Sequence, residues 1–246
     1  MPALYAHALS VVLMESIWPT RCAICDKPGE LVCPRCLRSL PYIDHWSACG
    51  RCGAPFGNVV CSECNPISLK ALGEDALPFS TCTCVTVFND QSKALITTYK
   101  DSGERRLASC IGALLADAVY PAWAKNKGAC ALPPTVSFIP ATLKAFRRRG
   151  FDHAELLAEN TATRLGLSCV PLFKRPKGKD QRSLSRLGRL GNMEKSFQLI
   201  EGVAVPKDVL LIDDVYTTGS TLIAASKALA HAGVENIHCA TFARVW

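Results

Sequence analysis

The segment Val209–Thr221, VLLIDDVYTTGST, sets an apolar run, two adjacent carboxylates and a loop of hydroxyl and glycine residues in one line. The run Val209–Ile212 predicts a strand buried in a parallel sheet and ending in Asp213 and Asp214. Ligands of open α/β sheets collect at the carboxyl ends of strands. Beyond the acids, Thr217, Thr218, Gly219, Ser220 and Thr221 offer backbone N–H groups, hydroxyls and a helix N-terminus to one phosphate. Two carboxylates repel that phosphate, but they can accept hydrogen bonds from sugar hydroxyls or stabilise positive charge on a sugar ring. Together the acids and the loop describe a ribose 5-phosphate site. The competing reading, an acidic strand end of the Walker B kind, requires a GxxxxGK[ST] loop, and the chain has none.

A second chemistry lies upstream. The chain has 14 cysteines, and eight form four CxxC pairs: Cys22/Cys25, Cys33/Cys36, Cys49/Cys52 and Cys61/Cys64. Each pair can hold one edge of a tetrahedron, and two pairs complete a four-sulfur zinc site with Zn–S bonds near ~2.3 Å. Spacing permits sequential pairing of the knuckles or a crossed arrangement. With all four positions filled by sulfur, the zinc is structural. A redox role would call for one CxxC in a thioredoxin-like βαβ setting, not four in a loop-rich stretch. Cys82, Cys84, Cys110, Cys130, Cys169 and Cys239 read as small buried hydrophobes. Met1–Met14 carries no Lys or Arg and runs into Glu15, so it lacks the basic n-region of a signal peptide, and it is too short an apolar run to span a bilayer. The expectation is a reducing, cytoplasmic setting with the thiols held as metal ligands.

Composition and periodicity supply the elements that must position these groups. With 246 residues, 49% of them apolar and 20% charged, the chain can bury a core and is neither disordered nor collagen-like. Net charge is +7, and between Lys144 and Lys195 there are 13 Lys and Arg against 5 Asp and Glu, which leaves the remainder close to neutral. Such a block reads as an anion site for phosphates or nucleic acid, with a solvated basic loop as the plain alternative.

Residues 1–19 carry an amphipathic helix at 3–18. Residues 20–66 are the cysteine-rich zinc-ribbon domain, 67–78 a linker, and 79–246 an α/β domain. Strands are expected at Cys82–Phe88, Thr135–Ile139, Cys169–Phe173, Val209–Ile212 and Ile237–Ala243. Helices are expected at Arg105–Tyr120, from Asp152 as N-cap, and through Leu222–Ala232 up to Gly233. The alternation predicts a mainly parallel sheet with helices on both faces.

The Val209–Thr221 segment resembles the fingerprint of type I phosphoribosyltransferases, which bind 5-phosphoribosyl 1-pyrophosphate. Ile139–Ala158, Gln181–Phe197, Thr98–Gly103 and the cysteine block resemble, in addition, the ComF/GntX competence-related family. The likeness spans residues 4–246, and Asp152 and His153 stand where that family usually has Asn and Gln. It implies that Asp213 and Asp214 hold the ribose hydroxyls, directly or through Mg²⁺, and that Thr217–Thr221 hold the 5-phosphate. Lys100, in the first loop, would face the pyrophosphate. The loop Arg175–Arg189, with Lys177 and Lys179, would close over the diphosphate. Arg147, Arg148 and Arg149 are candidate diphosphate or DNA contacts, or else solvated arginines.

Two functions follow from the resemblance. One is a Mg²⁺-dependent phosphoribosyltransferase, linked to DNA uptake or nucleotide salvage, whose acceptor no segment reveals. The other is a non-catalytic protein that lays single-stranded DNA on its basic surface and serves the DNA-uptake machinery.

Overall fold

The computed structural model describes residues 19–127, 133, 135–176 and 197–246. The helix expected at 3–18, Cys130, and Lys177, Lys179 and Arg189 of the basic loop lie outside the described residues. Five parallel strands form one sheet in the order β1-β5-β4-β2-β3. They are β1 (Thr81–Val87), β2 (Thr135–Phe138), β3 (Ser168–Cys169), β4 (Asp208–Tyr216) and β5 (Asn236–Arg244). The described helices are α1 (Pro34–Arg38), α2 (Pro66–Ala71), α3 (Asp90–Lys100), α4 (Leu107–Lys127), α5 (Leu143–Arg149), α6 (His153–Leu165) and α7 (Ser220–His231).

Side-chain alternation along β4 feeds two cores. Val209 and Leu211 face α7 and the second cysteine cluster, whereas Leu210 and Ile212 face α3, α4 and α6. All four are at most 1% exposed, which is why this strand reads as an unbroken apolar run. Helix α6, which with α5 connects β2 to β3, therefore packs on one face and the helix after β4, α7, on the other. Loops leaving adjacent strand ends toward opposite faces open a crevice between them, the switch point at which such sheets bind ligands.

The cysteine-rich segment is built onto this sheet. Ile43 N–H donates to Val85 O and Val87 N–H to Pro41 O, both at 2.9 Å, so the stretch between the two knuckle clusters covers the free edge of β1. Cys49, Cys52 and Ala54 join the α7-side core, while Ala23, Ile24, Leu31 and Leu37 pack on the other.

Several elements differ from expectation. The strand expected at Cys169–Phe173 is only the two-residue β3, followed by a single bridge from Phe173 to Leu199. Helix α3 was not expected; Asn89 and Ser92 start it with a reciprocal capping box. Lys100 is thus the last residue of a helix rather than part of a loop. Helix α5, capped by Thr142 and ended by Gly150 at φ 73°, also went unread. The stretch expected to link the two parts opens with α2, whose N-cap Asn65 accepts from Ile67 N and Ser68 N. Strand β4 runs three residues beyond Asp213, to Tyr216, so the acids sit inside its last turns of pleat.

Candidate active site and zinc centres

Asp213 and Asp214 lie at the carboxyl end of β4, 8% and 6% exposed, and Asp214 N–H donates to Asp213 Oδ1 at 2.9 Å. Burial raises the Asp213 carboxyl to about 7, against a smaller lowering by Lys100. The Lys100 ammonium, at the end of α3, ion-pairs with Asp214. Its own pKa falls to about 8, chiefly through burial. One cation is thus shared by two buried acids.

His153, the first residue of α6, points Nε2 at Asp214 Oδ2 from 3.9 Å. Its Nδ1 lies 3.3 Å from Arg149 Nη1. A guanidinium can only donate, so Nδ1 accepts and the ring proton sits on Nε2, toward the carboxylate. Burial, reinforced by Lys100, Arg149 and Arg175, holds this imidazole neutral by lowering its pKa far below the ordinary value. His153, Asp213 and Asp214 have ligand atoms within 4.8 Å of one another. The tautomer makes His153 a hydrogen-bond donor there, so the oxygens of Asp213 and Asp214 are what remains for a hard cation such as Mg²⁺.

Beside this cluster opens a cleft of about 590 Å³ lined by Lys100, Asp101, Ser102, Gly103, Arg148 and Arg149. Asp101 holds both arginines, with Nη2 of Arg148 and Arg149 at 3.4 and 3.3 Å. Arg149 Nε is buried without a hydrogen-bond partner among the described residues. Three cationic side chains and an unused buried donor make the cleft suited to a polyanion.

The loop after β4 turns tightly. Gly219 takes φ 77° and N-caps the 12-residue α7 with no side-chain hydrogen bond of its own, while Ser220 N–H donates to Thr218 Oγ1 at 3.4 Å, so the other first-turn N–H groups face an outside acceptor. Thr218 Oγ1 and Ser220 Oγ are 2.8 Å apart and both exposed, and Thr217 is exposed as well.

Arg175 is placed differently from the other cations. It ion-pairs with Asp152, donates to Ala141 O at 3.1 Å and lies 4.1 Å over the Phe146 ring. Asp152 also accepts from Ala141 N at 2.9 Å and caps α6 through Ala154 N at 3.0 Å, so the pair braces the loop beneath α6. The structure therefore gathers Lys100, Arg149, Asp213 and Asp214, and adds His153 and Asp101, which sequence reasoning did not place in the site. A histidine opening a helix beside an arginine run was the available signal.

The eight clustered cysteines form two groups, Cys22/Cys25/Cys33/Cys36 and Cys49/Cys52/Cys61/Cys64, which settles the pairing as sequential. The sulfur pairs Cys25–Cys33, Cys49–Cys64 and Cys52–Cys61 stand 3.7, 3.6 and 3.6 Å apart. A tetrahedron with Zn–S near ~2.3 Å has edges of ~3.8 Å, so the sulfurs are already at zinc-holding distance. A disulfide would need about 2 Å. Cys82, Cys84 and Cys239 are buried, as expected of small hydrophobes, whereas Cys110 and Cys169 are half-buried.

Comparison with known proteins agrees with this division. Residues 157–245 match the phosphoribosyl transferase domain family, and residues 13–65 match the double zinc ribbon domain family. Competence protein F of Haemophilus influenzae is 31% identical over 229 residues, covering 86% of this chain and 88% of that protein. Competence protein ComFC of Streptococcus pneumoniae is 26% identical over 232 residues, covering 93% and 89%. DNA utilization protein YhgH of Salmonella typhi is 24% identical over 230 residues, covering 89% and 94%. A parallel sheet with a strand–acid–loop crevice, carrying two four-cysteine clusters on its flank, places the chain in the competence protein F (ComFC) family, a type I phosphoribosyltransferase-like domain joined to a structural double zinc ribbon.

Proposed function

We propose that the chain binds 5-phosphoribosyl 1-pyrophosphate together with Mg²⁺ in the crevice at the end of β4, in a cytoplasmic role in DNA uptake or use. The observation that carries this is the direct succession of two buried carboxylates and a helix N-terminus capped by glycine, with a cationic cleft at the acids' side. The 5-phosphate is assigned to the backbone of Thr217–Thr221, the ribose hydroxyls to Asp213 and Asp214, and the diphosphate to Lys100 and Arg149. Mg²⁺, when bound with the donor, would supply charge neutralisation to the departing diphosphate.

Transfer itself would break the C1′–O bond, with the electron pair leaving on the diphosphate and an acceptor nucleophile taking its place at C1′. Asp213 and Asp214 would stabilise the positive charge that grows on the ring, and Lys100 and Arg149 the negative charge that grows on the leaving group. Lys100 must give up Asp214 to meet the diphosphate, which frees that carboxylate for the sugar. Titration calorimetry of the donor with and without Mg²⁺ tests this reading. Saturable, Mg²⁺-dependent binding that disappears in Asp213→Asn/Asp214→Asn supports it; unchanged binding in the double variant contradicts it.

A second reading, single-stranded DNA on the arginine run, is favoured by Arg148, whose side chain is 67% exposed, and by the names of the competence and DNA-utilization relatives. Salt-sensitive retention of single strands on a filter, lost when Arg147–Arg149 are neutralised, would support it.

A further inference from the structure

Arg244, the last residue of β5, is 2% exposed and the largest fully buried side chain among the described residues. Its Nη1 donates to Cys52 O at 2.7 Å and its Nη2 lies 3.9 Å from Cys52 Sγ. Its Nε is buried without a hydrogen-bond partner among the described residues. A buried guanidinium needs an anion. The nearest carboxylate, Glu63, is 3.8 Å away on a half-exposed side chain. The sulfur cluster answers that need, because four thiolates on one Zn²⁺ leave a centre of charge −2. With the metal gone and the thiols protonated, Arg244 would be a buried charge with little to hold it.

The same guanidinium has a second contact, with Tyr216, the last residue of β4. Its central carbon sits 4.0 Å over the Tyr216 ring. The hydroxyl end of Tyr216 in turn closes on Gly219, so that a Cβ built there would stand 2.6 Å from Tyr216 Cζ. Zinc ligand, guanidinium, phenol ring and loop glycine are stacked in continuous contact.

We infer that Arg244 is a positioning residue tying the second zinc centre (Cys49, Cys52, Cys61, Cys64) to the Thr217–Thr221 loop, so that zinc there and phosphate at the loop strengthen each other's binding. The inference rests on the loop being a phosphate site, as proposed above. Linkage requires the effect to be reciprocal.

The test uses the full zinc-loaded chain and ribose 5-phosphate, a probe that meets the loop and the acids but not the diphosphate cleft. Zinc release to a chelating dye is followed with and without the probe, and probe affinity is measured by calorimetry, for the wild type, Arg244→Met and Arg244→Lys. In the wild type, saturating probe should slow release of one of the two zinc ions about tenfold. In Arg244→Met that ion should leave roughly 10- to 100-fold faster, the usual cost of losing a group behind a metal ligand. Probe affinity should also fall about tenfold, and the protection should vanish. Arg244→Lys keeps the charge beside Cys52 but not the flat surface on Tyr216, so it should retain zinc while still binding the probe weakly. That split is one a general loss of folding does not produce. Probe binding that leaves both zinc rates unchanged, or wild-type probe affinity in Arg244→Met, overturns the coupling alone. Failure of the wild type to bind the probe overturns the phosphate-site reading and the coupling with it.

Discussion

Gly219→Ala is the sharpest perturbation of the Thr217–Thr221 loop, because the position is constrained twice. Its φ of +77° is left-handed, which costs an L-residue about 1–2 kcal/mol. Its new methyl would also press into the Tyr216 ring, which is held from behind by Arg244. Overpacking against a fixed side chain adds about 1–3 kcal/mol. The combined penalty corresponds to a melting temperature lowered by roughly 5–15 °C at this chain length. Gly166→Ala isolates the first contribution, since Gly166 has φ +69° but nothing within 4 Å of a built Cβ. It should pay the backbone cost alone and bind ribose 5-phosphate as the wild type does, whereas Gly219→Ala should melt lower still and bind the probe at least tenfold more weakly. Differential scanning fluorimetry and calorimetry read both effects. Equal melting temperatures for the two variants, with probe affinity intact in both, would refute the idea that Tyr216 forms a rigid floor under the loop.

Donor binding should strengthen as pH rises from 6 to 7, because burial lifts Asp213 to about 7 and only its ionised form serves the sugar or the cation, and weaken above about 8 as Lys100 loses the proton that meets the diphosphate. The stability sign is opposite: the folded state keeps this proton to higher pH than the unfolded state, so the ligand-free chain should lose stability between about pH 4 and 7 from this group. Calorimetry and melting curves across that range check both signs. Asp152→Asn removes a buried carboxylate from its ion pair with Arg175, whose side chain is 24% exposed, and should destabilise by about 2–3 kcal/mol; a melting temperature within a degree or two of wild type would contradict the bracing role. Chelation of zinc should lower the melting temperature of the sheet as well as of the ribbons, since Cys49, Cys52 and Ala54 belong to its core; melting of the sheet unaffected by chelator would contradict that shared core.

The chemistry that lies in consecutive residues was legible in the sequence. The β4 acids, the loop behind them and the CxxC knuckles are local patterns whose spacing already carries their geometry. Sulfur pairing was not legible, because both arrangements satisfy the spacing, and only the fold of each half brings Cys22 beside Cys33 and Cys49 beside Cys64. Helix α3 went unread although Asn89 and Ser92 mark its start and Leu95, Ile96 and Tyr99 share one buried face, since DQSKALITTYK holds few large apolar residues among its polar ones; the consequence was Lys100 placed on a loop. His153 and Asp101 enter the site only through the docking of α6 and α3 on one sheet edge, a contact between segments 50 residues apart in sequence. Arg244 left a faint trace: a single charge ending an otherwise apolar strand, NIHCATFAR, which periodicity alone would assign to solvent.

The account stands or falls most directly on a crystal structure of the zinc-loaded chain with 5-phosphoribosyl 1-pyrophosphate and Mg²⁺. It predicts the 5-phosphate on the amides of Thr217–Thr221, the ribose hydroxyls on Asp213 and Asp214, and Lys100 turned from Asp214 toward the diphosphate. A donor bound along Arg147–Arg149 with the β4 loop empty, or Lys100 still closed on Asp214, would contradict it.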